Sequence, residues 1–196
     1  MLNHIRPAVV MIVLFTGVLG VAYPLAVTGV AQAAFPSQAN GSLVRDKAGQ
    51  VVGSALVGQS FAQPGYLHPR PSAAGKGYDA AASSGSNLGP LNPDLIARVK
   101  TDADALRAET GKAVIPADAV TTSASGLDPH ISPAYAELQI ARIAEARGVE
   151  EAQVREVIRR HVEGRTFGVL GQPRVNVLLT NRTLDARLGR PATQGG

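Results

Sequence analysis

The stretch RPAVVMIVLFTGVLGVAYPLAVTGVAQAAF, residues 6–35, decides how this chain is organised. No Asp, Glu, Lys or Arg occurs between Arg6 and Arg45, and 21 of the 29 residues from Pro7 to Phe35 are apolar. A helix needs roughly 20 predominantly apolar residues to cross the hydrocarbon core of a bilayer. The sequence therefore predicts one transmembrane helix over residues 7–34.

Two other interpretations of this stretch fit its length less well. Ala31-Gln32-Ala33 matches the small-x-small pattern of a signal-peptide cleavage site, but a signal peptide has an apolar core of only about 7–15 residues. A core helix of a soluble domain with no charge over such a length would also be unusual. We therefore expect an uncleaved anchor, with a kink or the end of its straight part at Pro24.

The charges on either side of the anchor indicate its orientation. Arg6 and the amino terminus lie on one side, and Arg45 and Lys47, with Asp46 between them, lie on the other. The positive-inside rule then favours a cytoplasmic amino terminus. We expect residues 1–6 in the cytoplasm and residues 35–196 outside it.

The composition of the 196 residues excludes several classes of function. The absence of Cys rules out a disulfide scaffold, a thiolate-bound metal and a cysteine nucleophile. Aromatic residues make up only 4% of the chain, and the net charge of +4 is dispersed, so nucleic acid is not an expected partner. The four His residues lack metal-ligand spacing. We predict no metal site and expect His68 and His130 to be turn or surface residues.

Hydrophobic periodicity and capping residues predict a mixture of strands and helices after the anchor. The predicted elements are strands over 42–45 and 50–57, a helix from the Asn92-Pro93-Asp94 cap to Gly111, a helix from Ser132-Pro133 to Arg147, an amphipathic helix around 154–161, a strand over 175–180 and a short helix over 182–188. Strands and helices do not alternate regularly. The predicted fold class is therefore α+β, as a single mixed domain that follows one transmembrane helix.

Residues 58–92 form a long segment rich in Gly, Pro and Ser, in which 10 of the 35 residues are Gly or Pro. Such a composition is compatible with disorder or with an ordered loop. Phe61, Tyr66, Leu67 and Tyr78 provide the segment with apolar anchors. We therefore expect it to be ordered, either on a partner or on the body of the domain.

No catalytic or nucleotide-binding motif is complete in the sequence. The run SSGSNLG, residues 83–89, is Gly-rich, but no Gly-Lys-Ser/Thr follows it, so it is not a P-loop. Ser123 or Ser125 can be combined with His130 and Asp128 on paper, yet nothing resembles a nucleophile elbow. We expect no catalytic residue, and an accessory subunit or interaction module rather than an enzyme.

Several segments, taken in order, carry a resemblance to a known family. They are Arg6-Pro7-Ala8, QANGSL (38–43), GSALVGQ (53–59), GYLHPRPSA (65–73), SSGSNLG (83–89), TTSASGLDPHISP (121–133), residues 139–147 and GQPRVNV (171–177). Together they resemble the C subunit of the bacterial Kdp-type potassium-transporting ATPase, over nearly the whole chain. The family ending, a strand followed by Glu-Leu-Asn, is altered here to Leu179-Thr180-Asn181.

The resemblance implies a non-catalytic subunit of a potassium pump. Its companions would be a channel-like A subunit that selects potassium, a B subunit that hydrolyses ATP, and a small membrane subunit. The family's C subunit is described as a catalytic chaperone that raises the ATP affinity of the B subunit, and Gln139 matches the glutamine proposed to contact nucleotide. ATP is thus a ligand by resemblance alone, because a domain outside the cytoplasm meets no ATP. From its place on an amphipathic helix we expect Gln139 to be a helix-face or interface residue.

The resemblance also suggests where the loops would act. They would dock on the outer face of the A subunit, near the potassium entrance, and the interface candidates are Arg70, Ser72, Ser84, Asn87 and Asp128. The prolines on both sides of Arg70 stiffen its backbone, so that it could bind a partner carboxylate or a lipid headgroup, although an ordinary loop arginine is an equal alternative. We expect the bacterial inner membrane as the location and the lipid bilayer as a further partner. The alternative is a stand-alone membrane-anchored binding module or enzyme of the cell envelope.

Overall fold

Helix α1 spans Ile5–Ala34 in the computed structural model of the protein, which describes residues 4–191. With 30 residues, α1 is long and apolar enough to cross a membrane, and it contains no residue buried against the rest of the chain. It confirms the predicted apolar helix and begins two residues before the predicted start. An exposed apolar surface on all sides is the pattern of a helix that needs an apolar environment.

The helix changes its hydrogen bonding before Pro24. Residues Thr16–Ala22 form a π-helical segment, in which the N–H of Tyr23 donates to the carbonyl of Val18, five residues earlier. Proline lacks an N–H group and its ring crowds the preceding turn, and a wider turn relieves both problems. The helix then continues to Ala34, so Pro24 perturbs α1 without ending it.

The chain divides into two units between Ser54 and Ala55. After α1, the first unit contains a one-turn helix α2 (Pro36–Ala39) and an antiparallel hairpin of β1 (Leu43–Arg45) and β2 (Val51–Ser54). The Asp46 carboxylate closes the hairpin turn, because it accepts hydrogen bonds from the N–H groups of Ala48 and Gln50, both at 2.9 Å. The predicted strand, turn and strand are confirmed, although the second strand ends three residues early.

The second unit is a mixed domain. Within residues 55–191 its α-helices are α3 (Pro93–Thr110), α4 (Pro133–Leu138), α5 (Ile140–Arg147), α6 (Glu151–Arg160) and α7 (Val177–Leu188), and its strands are β3 (His130–Ile131), β4 (Val162–Glu163) and β5 (Arg174–Asn176). The strands form an antiparallel sheet in the order β3-β5-β4. This arrangement confirms the predicted α+β class.

Small and medium aliphatic side chains form the core of this unit. Ile143 of α5, Val154 of α6, Val175 of β5 and Leu184 of α7 are all completely buried. Leu67 joins them from the Gly/Pro-rich segment, also with no exposed surface. Burial of such side chains stabilises a fold by about 1.5–3 kcal/mol each, so the loop that carries Leu67 belongs to the core.

Capping residues set the ends of α3 as predicted. The Asn92 side chain accepts a hydrogen bond from the N–H of Asp94 at 2.8 Å, and Gly111 ends the helix in the left-handed conformation at φ +66°. The helix predicted from Ser132-Pro133 to Arg147 starts and ends as expected but is interrupted at Gln139, between α4 and α5. This interruption positions a side chain of the candidate site.

The strand predicted over residues 175–180 is wrong beyond Asn176. The Asn176 side chain accepts from the N–H of Leu179 at 3.1 Å and caps α7, which runs from Val177 to Leu188. The Thr180 hydroxyl donates to the Asn176 carbonyl at 2.7 Å within the same first turn. An Asn at a strand end favours a helix start when a run of helix formers follows, so the short terminal helix begins five residues before its predicted start.

Candidate functional site

Residues 63–89, here called the clamped loop, contain no strand and one short turn of 3-10 helix at Ala80–Ala82. Leu67 lies within this loop and is nevertheless completely buried. Buried peptide groups need hydrogen-bond partners, because each unpaired N–H or C=O costs free energy. The clamped loop obtains these partners from side chains.

The amide side chain of Asn181 in α7 holds Leu67. The Leu67 N–H donates to Asn181 Oδ1 at 2.8 Å, and Asn181 Nδ2 donates to the Leu67 carbonyl at 3.0 Å. Asn181 is 1% exposed, so both bonds form away from water, where they are stronger. The pair reproduces the two-bond exchange by which an antiparallel strand would hold the same residue.

The amide side chain of Gln139 holds His68 in the same way. The His68 N–H donates to Gln139 Oε1 at 2.7 Å, and Gln139 Nε2 donates to the His68 carbonyl at 3.1 Å. The same Oε1 accepts a second hydrogen bond from Arg142 Nη2 at 2.6 Å. Gln139 is 3% exposed, and its amide is engaged within the chain.

The two amides, here called the amide clamps, come from different elements. Peptide groups of consecutive residues in an extended segment point to opposite sides, so Leu67 and His68 need partners from two directions. Asn181 comes from α7, whereas Gln139 comes from the junction of α4 and α5. The predicted long helix is therefore interrupted at Gln139, the residue whose side chain holds His68.

Arg142, in the first turn of α5, supplies the next hydrogen bonds to the loop. Its Nη1 donates to the carbonyls of Pro64 at 2.5 Å and Tyr66 at 3.1 Å. Its Nε forms an ion pair with Glu109 at 3.1 Å, and its side chain is 19% exposed. Burial lowers the pKa of Arg142, and the Glu109 carboxylate opposes that effect.

Arg147, at the end of α5, has the most deeply buried charged side chain of the site, with 1% exposed. Its Nε donates to the Gly65 carbonyl at 2.6 Å, its Nη2 pairs with Asp185 at 2.9 Å, and its Nη1 donates to the carbonyl of Gly189. The guanidinium also lies 5.0 Å from the centre of the Tyr66 ring, a cation–π distance. A buried charge with this many partners is held rigidly.

His68 lies between the loop and Arg142. Its Nε2 is 3.2 Å from Arg142 Nη1 and 3.1 Å from the carbonyl of Gln63. Burial lowers the pKa of the imidazole, and the Arg142 charge lowers it further. A guanidinium can only donate hydrogen bonds. A neutral ring with its lone pair on Nε2 can therefore accept from Arg142, whereas a ring with a proton on Nε2 can only donate to the Gln63 carbonyl.

The second half of the clamped loop is tied to residues 121–130, here called the support segment. Arg70 Nη1 forms an ion pair with Asp128 Oδ2 at 3.0 Å, and Arg70 Nη2 donates to the Thr122 carbonyl at 3.3 Å. The Tyr78 hydroxyl donates to the Arg70 carbonyl at 2.5 Å, and burial raises the pKa of Tyr78 strongly. Arg70 and Asp128, two of the interface candidates, are thus bonded to each other inside the domain.

Two further interface candidates, Ser72 and Ser84, also form hydrogen bonds with the support segment. The Ser72 hydroxyl donates to the Gly126 carbonyl at 2.6 Å and accepts from the Tyr78 N–H at 2.9 Å. The Ser84 N–H donates to the Ser125 carbonyl at 3.0 Å. Asn87 is exposed at a positive φ of +53° and lies 3.5 Å from the Ser84 hydroxyl. Arg70, Ser72 and Ser84 thus bond to the support segment that contains Asp128, whereas Asn87 bonds only to Ser84.

Close backbone approach at Gly126 explains why the loop and the support segment are so tightly joined. A Cβ atom at Gly126 would lie 2.7 Å from the N atom of Ala74 and 2.7 Å from the carbonyl oxygen of Ser84. Its φ of +67° also favours glycine. The Gly/Ser-rich composition of both segments thus permits backbone contact rather than flexibility.

The electrostatics of Asp128 suit a structural anion. Burial alone would raise the pKa of its carboxyl, but the nearby His130 ring and the hydrogen bonds from the His130 N–H and from Arg70 outweigh burial and lower the pKa. His130 Nδ1 is 3.6 Å from Asp128 Oδ1. Ser125 Oγ accepts from the Leu127 N–H at 3.1 Å, as in a turn. The Asp128–His130 pair thus orders the support segment.

Two further features of residues 4–191 bear on ligand binding. No group of three or more His, Asp or Glu side chains in this part of the chain could hold a metal ion. A cleft of about 1040 Å³ lies between the end of α3 and α5. Its Glu109 pairs with Arg142, and its Glu137 and Glu151 pair with Arg155, so much of the charge lining the cleft is already neutralised.

Sequence reasoning missed three residues that hold the clamped loop: Asn181, Arg142 and Arg147. Asn181 occurs in the altered family ending, and the two arginines lie in the helix predicted to end at Arg147. Charged residues on a helix usually indicate a solvated face. The Gly/Pro-rich loop itself contains the signal that could have indicated them. If Leu67 anchors this loop in the core, the neighbouring peptide groups need hydrogen-bond donors and acceptors from other parts of the chain.

These observations define a class of protein: one helix long and apolar enough to cross a membrane, followed by an α+β domain whose polar side chains rigidify its own loops. The family model described as "KdpC: K+-transporting ATPase, c chain" matches residues 5–186. The chain belongs to this family. It is therefore a subunit of a potassium-transporting ATPase complex.

Individual relatives support the same assignment. The chain is 67% identical over 196 residues to the potassium-transporting ATPase KdpC subunit of Caulobacter sp. (strain K31), covering 100% of both chains. It is 60% identical over 190 residues to the KdpC subunit of Myxococcus xanthus, covering 96% of this chain and 88% of the relative. It is 58% identical over 189 residues to that of Beijerinckia indica subsp. indica, covering 95% of each. The resemblance seen in the sequence motifs is confirmed.

Proposed function

We propose that this chain is a single-span accessory subunit of the bacterial inner membrane, with residues 1–6 in the cytoplasm, 7–34 in the bilayer and 35–196 outside the cytoplasm. The observation that carries the proposal is the combination of a family match over residues 5–186 with an apolar helix at Ile5–Ala34. Charge bias at the ends of the helix supports the orientation. In this role the chain stabilises the pump and assists ATP-driven potassium uptake without catalysing a reaction itself.

The partners in this proposal are a channel-like A subunit, an ATP-hydrolysing B subunit and a small membrane subunit. Potassium and ATP are handled by these partners. The clamped loop and the support segment present a rigid surface to the A subunit, with Asn87 and the neighbouring exposed loop residues in contact. Support comes from the density of hydrogen bonds in the loop, because a surface that is already ordered loses little conformational entropy on binding.

We propose that Gln139 influences the ATP affinity of the pump through the loop and not through contact with nucleotide. Its Oε1 accepts from His68 and Arg142, and its Nε2 donates to His68. A nucleotide contact would require at least one of these buried bonds to break. The catalytic-chaperone effect, in this view, is transmitted by a correctly shaped docking surface.

Reporter fusions after Gly196 test the orientation. We expect an alkaline phosphatase fusion to be active and a cytoplasmic reporter to be inactive at this position. The reverse result would put the domain in the cytoplasm and restore direct nucleotide contact. Purification of a tagged chain tests the subunit role, since the proposal expects a large multi-span membrane protein to be recovered with it. A chain that remains monodisperse alone would favour the stand-alone envelope module.

Paired variants test the role of Gln139 in the assembled ATPase. If Gln139 acts through the loop, Gln139→Ala and Asn181→Ala should raise the KM for ATP to a similar extent, because both release the same two-residue segment. Lys112→Ala is the control, since Lys112 is exposed and lies outside the clamped loop and the support segment. A rise in KM with Gln139→Ala but not with Asn181→Ala would support nucleotide contact instead.

A further inference from the structure

The hairpin between β4 and β5 carries an exposed apolar tip. Phe167 is 89% exposed, Val169 is 70% exposed and Leu170 is 59% exposed. These three large side chains lie within four consecutive residues. Single exposed apolar residues are common on protein surfaces, but a contiguous group indicates a binding surface.

The tip is ordered by its own backbone. The N–H of Thr166 donates to the carbonyl of Leu170 at 2.9 Å, and the N–H of Leu170 donates back to the carbonyl of Thr166 at 2.9 Å. Phe167 adopts a φ of +54° in the turn between them, a conformation that is unfavourable for a bulky residue. The hairpin thus holds an aromatic side chain outward at some conformational cost.

Basic residues flank this apolar tip along the sequence. From Glu156 to Asn176 the sequence contains four Arg (159, 160, 165 and 174) and two Glu (156 and 163), a net charge of +2. Arg159 and Arg160 both pair with Glu156, and Arg174 pairs with Glu163. Arg165, directly before the tip, instead donates to the Gln172 side chain at 3.2 Å. Apolar residues with adjacent Arg match an anionic lipid surface.

The last residue of the hairpin contacts the first residue of this domain. Asn176, the last residue of β5, donates from Nδ2 to the carbonyl of Ala55 at 2.8 Å. Ala55 is the first residue of the second unit, and α1 ends at Ala34. Seven residues separate Asn176 from Val169, a distance of at most about 25 Å in an extended strand. The end of the hairpin opposite to the tip is therefore fixed at the first residue of the domain.

We propose that the tip of this hairpin inserts into the surface of the bilayer that α1 crosses. In this arrangement Phe167, Val169 and Leu170 enter the interfacial region, and Arg165 meets lipid phosphate groups. The proposal rests on the membrane span of the proposed function. Three side chains are too small a patch for a stable protein interface, which needs about 800 Å² per partner. A tethered domain, by contrast, needs only a weak membrane contact, because the anchor raises the local concentration of lipid.

The absence of Trp from the sequence allows a direct test. The full-length Phe167→Trp chain is reconstituted into phosphatidylcholine vesicles with and without phosphatidylglycerol, and its fluorescence is measured with brominated lipids as quenchers. Leu91→Trp is the matched control, because Leu91 is 87% exposed and lies outside the hairpin. Val21→Trp, inside α1, reports whether the span itself is in the bilayer.

We expect blue-shifted emission for Phe167→Trp and several-fold stronger quenching by brominated lipid than for Leu91→Trp. Quenching should increase when phosphatidylglycerol is present. If Val21→Trp is quenched and Phe167→Trp behaves like Leu91→Trp, the tip inference is wrong and the span stands. If Val21→Trp is not quenched, the membrane span of the proposed function fails as well.

A second variant separates insertion from mere proximity. Leu170→Trp is used as the reporter, and Phe167→Gly and Val169→Ser are added to it. Loss of most lipid quenching supports insertion of the apolar tip, whereas unchanged quenching contradicts it. Protection of the Phe167→Trp indole from an aqueous quencher only in the assembled ATPase, without lipid quenching, would assign the tip to a protein partner and overturn the lipid proposal.

Discussion

The burial of the clamped loop and the exposure of the hairpin tip are the opposite of what the composition of each segment suggests. Residues 63–89 are rich in Gly, Pro and Ser, yet they contain the completely buried Leu67 and a network of hydrogen bonds to helices and to the support segment. Residues 166–170 include Phe, Val and Leu, and all three of these side chains are exposed. From composition alone, residues 63–89 would be expected to be exposed and residues 166–170 to be buried.

The difference shows that partners for the backbone decide which loop can be buried. The clamped loop has side-chain amides and guanidiniums aimed at its peptide groups, so its backbone can leave water. The tip satisfies its own backbone by the bonds between Thr166 and Leu170 and needs no further support. Its side chains are therefore available for an external partner. Variants in the two regions should accordingly have different effects on stability.

Gly126→Ala should cause the largest loss of stability. The new methyl group would lie 2.7 Å from backbone atoms of Ala74 and Ser84, at a φ of +67°. Left-handed strain and overpacking together should lower the free energy of unfolding by about 4 kcal/mol. Calorimetry of the full chain in detergent micelles measures the change.

Gly111→Ala is the control for Gly126→Ala. Gly111 has a similar φ of +66° but open space around the position of a Cβ atom, so only the left-handed strain of about 1 kcal/mol applies. The difference between the two variants isolates the contact between the clamped loop and the support segment. Equal losses would show that this contact does not hold the loop.

Asn181→Ala should have the next largest effect. It leaves both peptide groups of Leu67 buried without partners, which should cost about 3 kcal/mol. Gln139→Ala should cost a similar amount, because it releases His68 and Arg142. Asn87→Ala, at an exposed position of the same loop, should change stability by less than about 0.5 kcal/mol. If Asn181→Ala unfolds at the same temperature as the wild-type protein, the Asn181 side chain does not hold Leu67 in the folded state.

Local signals in the sequence predicted much of the fold. Asn92 and Gly111 cap α3 as expected, and the apolar periodicity of Val154, Val157 and Ile158 produces the buried face of α6. The strand predicted over 175–180 failed because Asn176 is both a strand residue and a helix cap. Strands of two residues, such as β3 and β4, are too short to show alternation.

The candidate site depended on contacts that the sequence does not encode locally. Order of the Gly/Pro-rich segment was predicted from its apolar anchors, and the structure shows order on the body of the domain through Leu67. Asn181 lies 114 residues from Leu67 along the chain, and Gln139 lies 71 residues from His68. A single sequence offers no way to pair such distant residues, because their bonds depend on how the helices pack.

The clamped loop should also make stability depend on pH through His68. The pKa of His68 is lowered from its ordinary value of 6.5, so the unfolded chain binds a proton more readily than the folded chain. Stability should therefore fall as the pH drops below about 6.5, by at most about 1.4 kcal/mol per pH unit. Thermal midpoints from pH 5 to pH 8 should show a shallower decline for His68→Gln than for wild type. A parallel decline in both proteins would exclude His68 as the source.

Phe167→Gly should have the smallest effect on stability and an opposite sign. The substitution removes an exposed ring and places glycine at a φ of +54°, so relief of strain outweighs the entropy of glycine by less than about 1 kcal/mol. Phe61→Ala is the counterpart in the segment before the clamped loop, where the ring packs on the core and lies 5.7 Å from the Tyr66 ring, and it should cost about 2 kcal/mol. Thermal unfolding in detergent, without a bilayer, measures both. An aromatic ring is removed in each case. A loss in Phe61→Ala but not in Phe167→Gly would show that the tip side chain does not support the fold. A comparable loss in Phe167→Gly would show that the tip is part of the folded core.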